Sequence, residues 1–293
     1  MAGTNTLVFN TTVAKHSNLV MELDIARQSN YGAIEITANK VREFLASGRS
    51  REELARALDG LSVYGVGTII DIERHGPDHA ALLTQAKEVL DIAAMVGARG
   101  VQVINGPLDY KAVEAHRAGR PMKGYSGVLA YDREEQVSIT ARNLALLADM
   151  ARERNIVIYL EALAWSPLNT LKDQIELLDK ADRENLKMVI DYWHCYTSGD
   201  TPEDVTRIAR ERIFGVHVCD ALKFEGGVPN EVLLRDVPTG QGVLDLKEWT
   251  DAVKATGYND WWSSETFCKK QQQDDCYAVS KQLHAQLENL VLA

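Results

Sequence analysis

The stretch Lys187-Met188-Val189-Ile190-Asp191-Tyr192-Trp193-His194 is a short apolar run that stops at a carboxylate and sets an imidazole three residues further on. A run of this kind reads as a buried parallel strand whose C-terminal end carries polar chemistry. The pattern recurs on both sides. Ile156-Val157-Ile158-Tyr159-Leu160-Glu161 precedes it, Ile213-Phe214-Gly215-Val216-His217-Val218-Cys219-Asp220 follows, and Asp260-Trp261-Trp262-Ser263-Ser264-Glu265 closes the series. Four successive strand-like runs thus present Glu161, Asp191, His217 and Glu265 at their exits. Unpaired buried carboxylates are costly, so four such groups make sense if they share a cation.

Working outward, the spacing predicts four earlier units. Strands are expected at 7–10, 33–36, 65–70 and 100–105, with helices at 18–30, 41–46, 50–61 and 78–96. Ser50 and Glu53 form a capping-box pattern at the start of one of them. The later helices are expected at 134–154, 170–181, 202–211, 245–256 and 274–290. Eight strand-helix pairs in one chain point to an α/β fold, a single closed (β/α)8 barrel, with an open doubly wound sheet as the competitor. Residues 1–293 are read as one domain with a long loop insertion at about 106–131. A connection of that length is expected to be a lid or binding segment, or else a solvated excursion or oligomer contact.

Composition narrows the function. At 45% hydrophobic and 25% charged the chain is an ordinary globular protein. A formal net charge of -10 lacks the basic surface that phosphate backbones require, so no nucleic-acid partner is expected. No apolar run reaches the ~20 residues of a membrane span, and the first residues lack the pattern of a signal peptide. No membrane partner is expected, and the cytoplasm is the expected compartment. The four cysteines, Cys195, Cys219, Cys268 and Cys276, show no C-x-x-C spacing and read as reduced thiols. Cys195 and Cys219 are taken as packing residues, with a thiol ligand as the alternative. No G-x-G-x-x-G follows the first strand and no Walker motif occurs, so no organic cofactor is expected.

In a (β/α)8 barrel the strand C-termini face one mouth, so Glu161, Asp191, His217 and Glu265 converge there as metal ligands. Two Glu, one Asp and one His suit a single divalent ion: manganese (Mn²⁺), Mg²⁺, Co²⁺ or Zn²⁺. Glu35 and Asn105 end their strands at the same mouth, as substrate-hydroxyl partners or as solvated groups. Trp165, with Trp193 and Phe9, either walls a sugar ring or packs as core. His75 and His79 read as surface residues first and extra ligands second.

The order of motifs resembles the xylose-isomerase-like TIM-barrel superfamily of sugar isomerases, epimerases and related lyases, most of all its 2-keto-myo-inositol isomerase (inosose isomerase) branch. The resemblance rests on Phe9-Asn10, Ile34-Glu35-Ile36, Leu160-Glu161, Ile190-Asp191 with His194, Val216-His217 with Asp220, Arg235 before Pro238-Thr239-Gly240-Gln241-Gly242, Asp245-Leu246 with Gly257-Tyr258, and Ser264-Glu265. It covers essentially the whole chain. Two features depart from it: Ala164-Trp165-Ser166-Pro167 has no acid where many ketose epimerases of the family carry a second carboxylate, and the 106–131 connection is long.

The resemblance implies an enzyme of carbohydrate metabolism, a divalent-metal-dependent isomerase or epimerase that shifts a carbonyl on a keto-inositol or keto-sugar through a metal-stabilised enediolate. Glu161 and Glu265 are then the catalytic pair, Asp191 and His217 hold the ion, and the partner is a small polyhydroxylated keto compound. His194 is expected to reach a substrate hydroxyl or to pack in the mouth, and Arg235 to clamp an oxygen or orient Asp220. The alternative on the same scaffold is a lyase: an inosose or dehydroshikimate dehydratase, or an enzyme cleaving a 3-keto-glycoside. An abasic-site endonuclease would need more ligands and a basic groove, and a non-catalytic sugar-binding protein would not need all four. Barrels of this class often form homo-oligomers, although no sequence stripe here marks an interface.

Overall fold

Eight parallel strands hydrogen-bond in chain order: β1 (Thr6–Asn10), β2 (Ala33–Thr37), β3 (Ser62–Ile69), β4 (Gly100–Ile104), β5 (Val157–Glu161), β6 (Leu186–Asp191), β7 (Ile213–Val218) and β8 (Trp261–Ser264). Strand β1 returns to pair with β8, which closes the sheet into a (β/α)8 TIM barrel. The computed structural model describes residues 5–292. All eight strands lie where the apolar runs place them, within a few residues at their ends.

The outer layer comprises α1 (Leu19–Gln28), α2 (Ala38–Ala46), α3 (Arg51–Leu58), α4 (His79–Met95), α5 (Tyr110–Arg117), α6 (Arg133–Arg152), α7 (Leu171–Ala181), α8 (Tyr192–Ser198), α9 (Pro202–Thr206), α10 (Glu231–Leu234), α11 (Leu246–Ala255), α12 (Lys269–Gln272) and α13 (Cys276–Leu287). Side chains of Asn18, Ser50 and Thr170 accept from the amides three residues on and start α1, α3 and α7. Ser50 and Glu53 complete the expected reciprocal box. Buried Leu82, Ala86, Leu90 and Ala93 lay one face of α4 against the sheet.

Several segments differ from expectation, among them the short helices α10 and α12, which the spacing did not predict. The helix expected at 202–211 starts at Pro202 behind the Thr201/Asp204 box but stops at Thr206, and a 3-10 turn at Arg210–Arg212 leads into β7. A short helix, α8, follows β6 directly: Asp191 caps it by accepting from the His194 amide, and Gly199 ends it at φ 90°. The 106–131 connection holds α5, started by the Asp109 side chain.

Inside the barrel, side chains two residues apart share a face. Tyr159, Val189 and Trp261 plug the lower interior with Val8, Ala33 and Phe214. Two residues further along the same strands, one layer higher, stand Glu161, Asp191 and Ser263. The plug needs small neighbours: a Cβ on Gly100 would come 2.6 Å from Phe214 and 3.0 Å from Tyr159, and one on Gly215 would run into the Trp261 indole. Gly215 thus gives room to Trp261, while His217, two residues on, faces into the layer above.

Candidate metal centre

The pairing of Asp191 with His217, and of His217 with Ser263 one residue short of the β8 end, sets the exits of β6, β7 and β8 at one level. Together with Glu161 at the end of β5, the four expected ligands come together. One donor atom from each of Glu161, Asp191, His217 and Glu265 lies within 4.8 Å of every other, and all four residues are buried. Among the described residues this is the one such group of metal-type side chains.

His217 fixes the geometry. Its Nε2 lies 3.2 Å from Glu35 Oε2, while Nδ1 has no hydrogen-bond partner. That bare nitrogen is 3.5 Å from Glu161 Oε1, 3.9 Å from Asp191 Oδ2 and 3.9 Å from Glu265 Oε2. A buried ring nitrogen aimed between three carboxylates, with its other nitrogen held by a carboxylate behind it, is what a divalent-ion site requires. The donor set fits such an ion.

The charges are tightly coupled. Burial opposes ionisation of Asp191, but the guanidinium of Arg235 and the imidazoles of His194 and His217 outweigh it and hold Asp191 below the usual carboxylate range. Burial pushes Glu265 up to about 8, against the pull of Arg235 and with the help of Glu161. Burial disfavours the His217 cation, yet Glu35, Glu161 and Glu265 raise its pKa well above the ordinary value. Without a metal, protons must relieve the crowding of carboxylates; a divalent cation would replace them.

The remaining expected residues take distinct places. Glu35 lies behind His217 and also accepts from Asn10 Nδ2 at 3.1 Å, Tyr159 Oη at 3.0 Å and Ser263 Oγ at 2.8 Å. His194 accepts the Ala164 amide on Nδ1 at 3.1 Å, which leaves the proton on Nε2, 3.6 Å from Glu161 Oε1. Arg235 donates to Glu265 at 2.7 Å, Asp191 at 3.2 Å and Glu231 at 3.0 Å. Asp220 is held instead by the amides of Ala221, Gly240, Gly242 and Leu244. Asn105 is spent on structure: it donates to Ser166 Oγ and Leu168 O and accepts from the Leu163 amide, which pins the loop after β5. Trp165 is buried, and its Nε1 donates to Pro107 O. Cys219 donates its thiol to Asp191, and no cysteine is disulfide-bonded.

One residue of the site has no signal at a strand end. Gln102, on β4, donates from Nε2 to Glu161 Oε2 and accepts from Thr68 Oγ1 at 2.8 Å. Its inward register, two residues before the strand's last position, is the clue the sequence offers.

A cavity of about 420 Å³ opens above the cluster. Glu35, Gln102, Glu161, His194, Arg235 and Glu265 line its polar part; Asp191 and His217 do not reach it.

Barrel and cluster together define the class. The sequence profile of the xylose isomerase-like TIM barrel family matches residues 23–286, and the chain belongs to that family. Within it, the chain is 25% identical to an inosose isomerase of Bacillus subtilis (strain 168), over 89% of this chain and 88% of that one. It is 24% identical to a 3-dehydroshikimate dehydratase of Pseudomonas putida, over 87% of this chain but 37% of the longer relative. A solved structure of the IOLI protein with a bound zinc atom superposes with a TM-score of 0.84, covering 98% of each chain at 21% identity. Among the described residues no helix is long and apolar enough to cross a membrane.

Proposed function

We infer that the chain is a divalent-metal-dependent isomerase or epimerase that moves a carbonyl along a keto-inositol or keto-sugar. The observation that carries this reading is the division of the cluster: Glu161 and Glu265 line the cavity, whereas Asp191 and His217 are shielded beneath it. The two shielded residues are the anchoring ligands. The two cavity-facing carboxylates both complete the site and carry protons.

Glu161, Asp191, His217 and Glu265 would hold a divalent ion, which would supply Lewis-acid polarisation to the substrate. Glu161 takes the proton from the hydroxyl-bearing carbon beside the carbonyl, Glu265 delivers one to the former carbonyl carbon, and the hydroxyl proton passes to the former carbonyl oxygen as the new carbonyl forms. Exchange with water then resets the two carboxyls, and their roles reverse in the other direction. Gln102 holds the second oxygen of Glu161, so that Oε1 stays turned towards His194 and the cavity. His194 Nε2–H donates to a substrate oxygen. Arg235, 2% exposed, positions Glu265 and Asp191 together. The inosose isomerase relative supports an inosose-like ring as the first substrate class to test.

The test is proton NMR of the metal-loaded protein in deuterated water with a panel of keto-inositols and ketohexoses. Deuterium entering beside the carbonyl, with the carbon skeleton and hydroxyl count kept, supports the reading. Loss of water or of a ring substituent assigns the protein to the lyases of the same scaffold, and no exchange with any compound removes the reaction.

A further inference from the structure

The cavity above the cluster is polar at its floor and apolar at its rim. The rim is built from Leu108 and Tyr110 after β4, Trp165 after β5, Val232 on α10 and Phe267 after β8. The polar atoms of its two largest members are already engaged: Tyr110 Oη accepts from Asn230 Nδ2 at 2.9 Å, and Trp165 Nε1 donates to Pro107 O at 2.9 Å. Phe267 is held in place by the Arg235 guanidinium, 4.3 Å from its ring centroid. These five side chains therefore turn mainly carbon to the cavity, beside the polar groups of Thr12, Thr37, Thr68 and Glu231, which also line it.

The rim is also a construction of two loops. The Asn230–Tyr110 bond and a second one, from Arg117 to Gly227 O at 3.3 Å, join the β4–α6 connection to the β7–α11 connection across the mouth. Leu108 and Val232, one on each loop, are 44% and 57% exposed beside this seam. Exposed apolar side chains gathered at the edge of a concave site mark a surface that becomes covered when the site is filled.

A small polyol ring can lay one C–H face against Trp165, but it is too small to cover Leu108, Tyr110, Val232 and Phe267 as well while its hydroxyls stay with the polar floor. A cavity of about 420 Å³ is in the range that takes a drug-sized ligand. We propose that the rim is a subsite for an aryl substituent, so that the ring processed at the floor arrives carrying a flat apolar group. This rests on the reading of the floor as a keto-polyol site and adds the part of the substrate that points outwards.

The test compares two ligands that lack the reactive carbonyl and differ only in their apolar group. Metal-loaded protein is titrated calorimetrically with phenyl and with methyl β-D-glucopyranoside. The phenyl compound is expected to bind at least fivefold more tightly, and Leu108→Asp and Val232→Asp, each checked for an unchanged circular dichroism melt, are expected to cut the ratio below fivefold. A wild-type ratio under fivefold, no heat with either ligand, or folded variants that keep the full ratio would overturn the proposal. Because binding alone is read, the outcome is separate from the deuterium-exchange experiment. Phenyl preference without exchange keeps the subsite and removes the reaction; exchange without preference does the reverse.

Discussion

His217 Nε2 lies 3.2 Å from Glu35 Oε2, and it is this contact that leaves Nδ1 of the same ring bare and directed at Glu161, Asp191 and Glu265. Glu35 is therefore a ligand's partner as well as part of the cavity wall. Glu35→Gln should lower affinity for the divalent ion roughly 10- to 100-fold while the fold persists. Asp191→Asn combined with His217→Ala should abolish binding. Calorimetric titration of metal-stripped protein reads both, and unchanged affinity in the double variant would place the ion elsewhere.

Glu161→Gln and Glu265→Gln separate proton transfer from metal holding. Each keeps an oxygen donor but loses the proton-carrying carboxylate, so deuterium incorporation should fall by roughly 100-fold or more. Retention of full exchange by either variant would remove that residue from the catalytic pair.

Gln102 acts through Glu161. Gln102→Ala leaves Glu161 Oε2 without its donor and Thr68 Oγ1 without its acceptor. A loosened base should lower kcat about tenfold with a smaller change in KM. An equal rise in KM with kcat unchanged would instead make Gln102 a substrate contact.

A buried acid outside the site sets a pH dependence of stability. Burial raises Glu73 to about 7, opposed by the Gly106 amide that its carboxylate accepts and reinforced by Asp71. Between about pH 4.5 and 7 the folded protein therefore binds a proton that the unfolded chain has released. Stability from this group is present at the acid end and is lost as pH rises through 7, by up to about 3 kcal/mol. Glu73→Gln, neutral throughout, should flatten that part of the profile. Urea midpoints of both proteins at pH 5.5 and 7.5 check it, and parallel profiles would contradict the assignment.

The plug beneath the site is equally testable. Gly215→Ala places a methyl group where the Trp261 ring lies. Overpacking of a closed interior costs about 1–3 kcal/mol. Chemical denaturation should show that loss, whereas Gly226→Ala at a surface turn, with nothing within 4 Å of the added carbon, is limited to the strain of its positive φ.

The barrel was legible because parallel strands covered on both faces must be apolar along their length, and the ligands stood out because charge there is anomalous. Glu161, Asp191 and Glu265 interrupt or end runs that burial would otherwise keep neutral. Gln102 is polar but uncharged and stops short of its strand end, so it gave a weaker contrast than the carboxylates and escaped notice. Helix α8 was hidden because Tyr192, Trp193 and His194 continue the look of the strand, although Asp191 as cap and Gly199 as stop were both present. The environment of Glu73 depends on a loop more than thirty residues away in sequence, and no local pattern records it.

With Tyr159, Val189, Phe214 and Trp261 stoppering the lower interior, the barrel offers no way through beneath the site among the described residues, and the cavity opens at the mouth. Whatever leaves must retrace the route by which it came, and while it lingers nothing else can enter. Product should then inhibit strictly in competition with substrate, and turnover at saturation should follow the speed of departure whenever the chemistry is quicker.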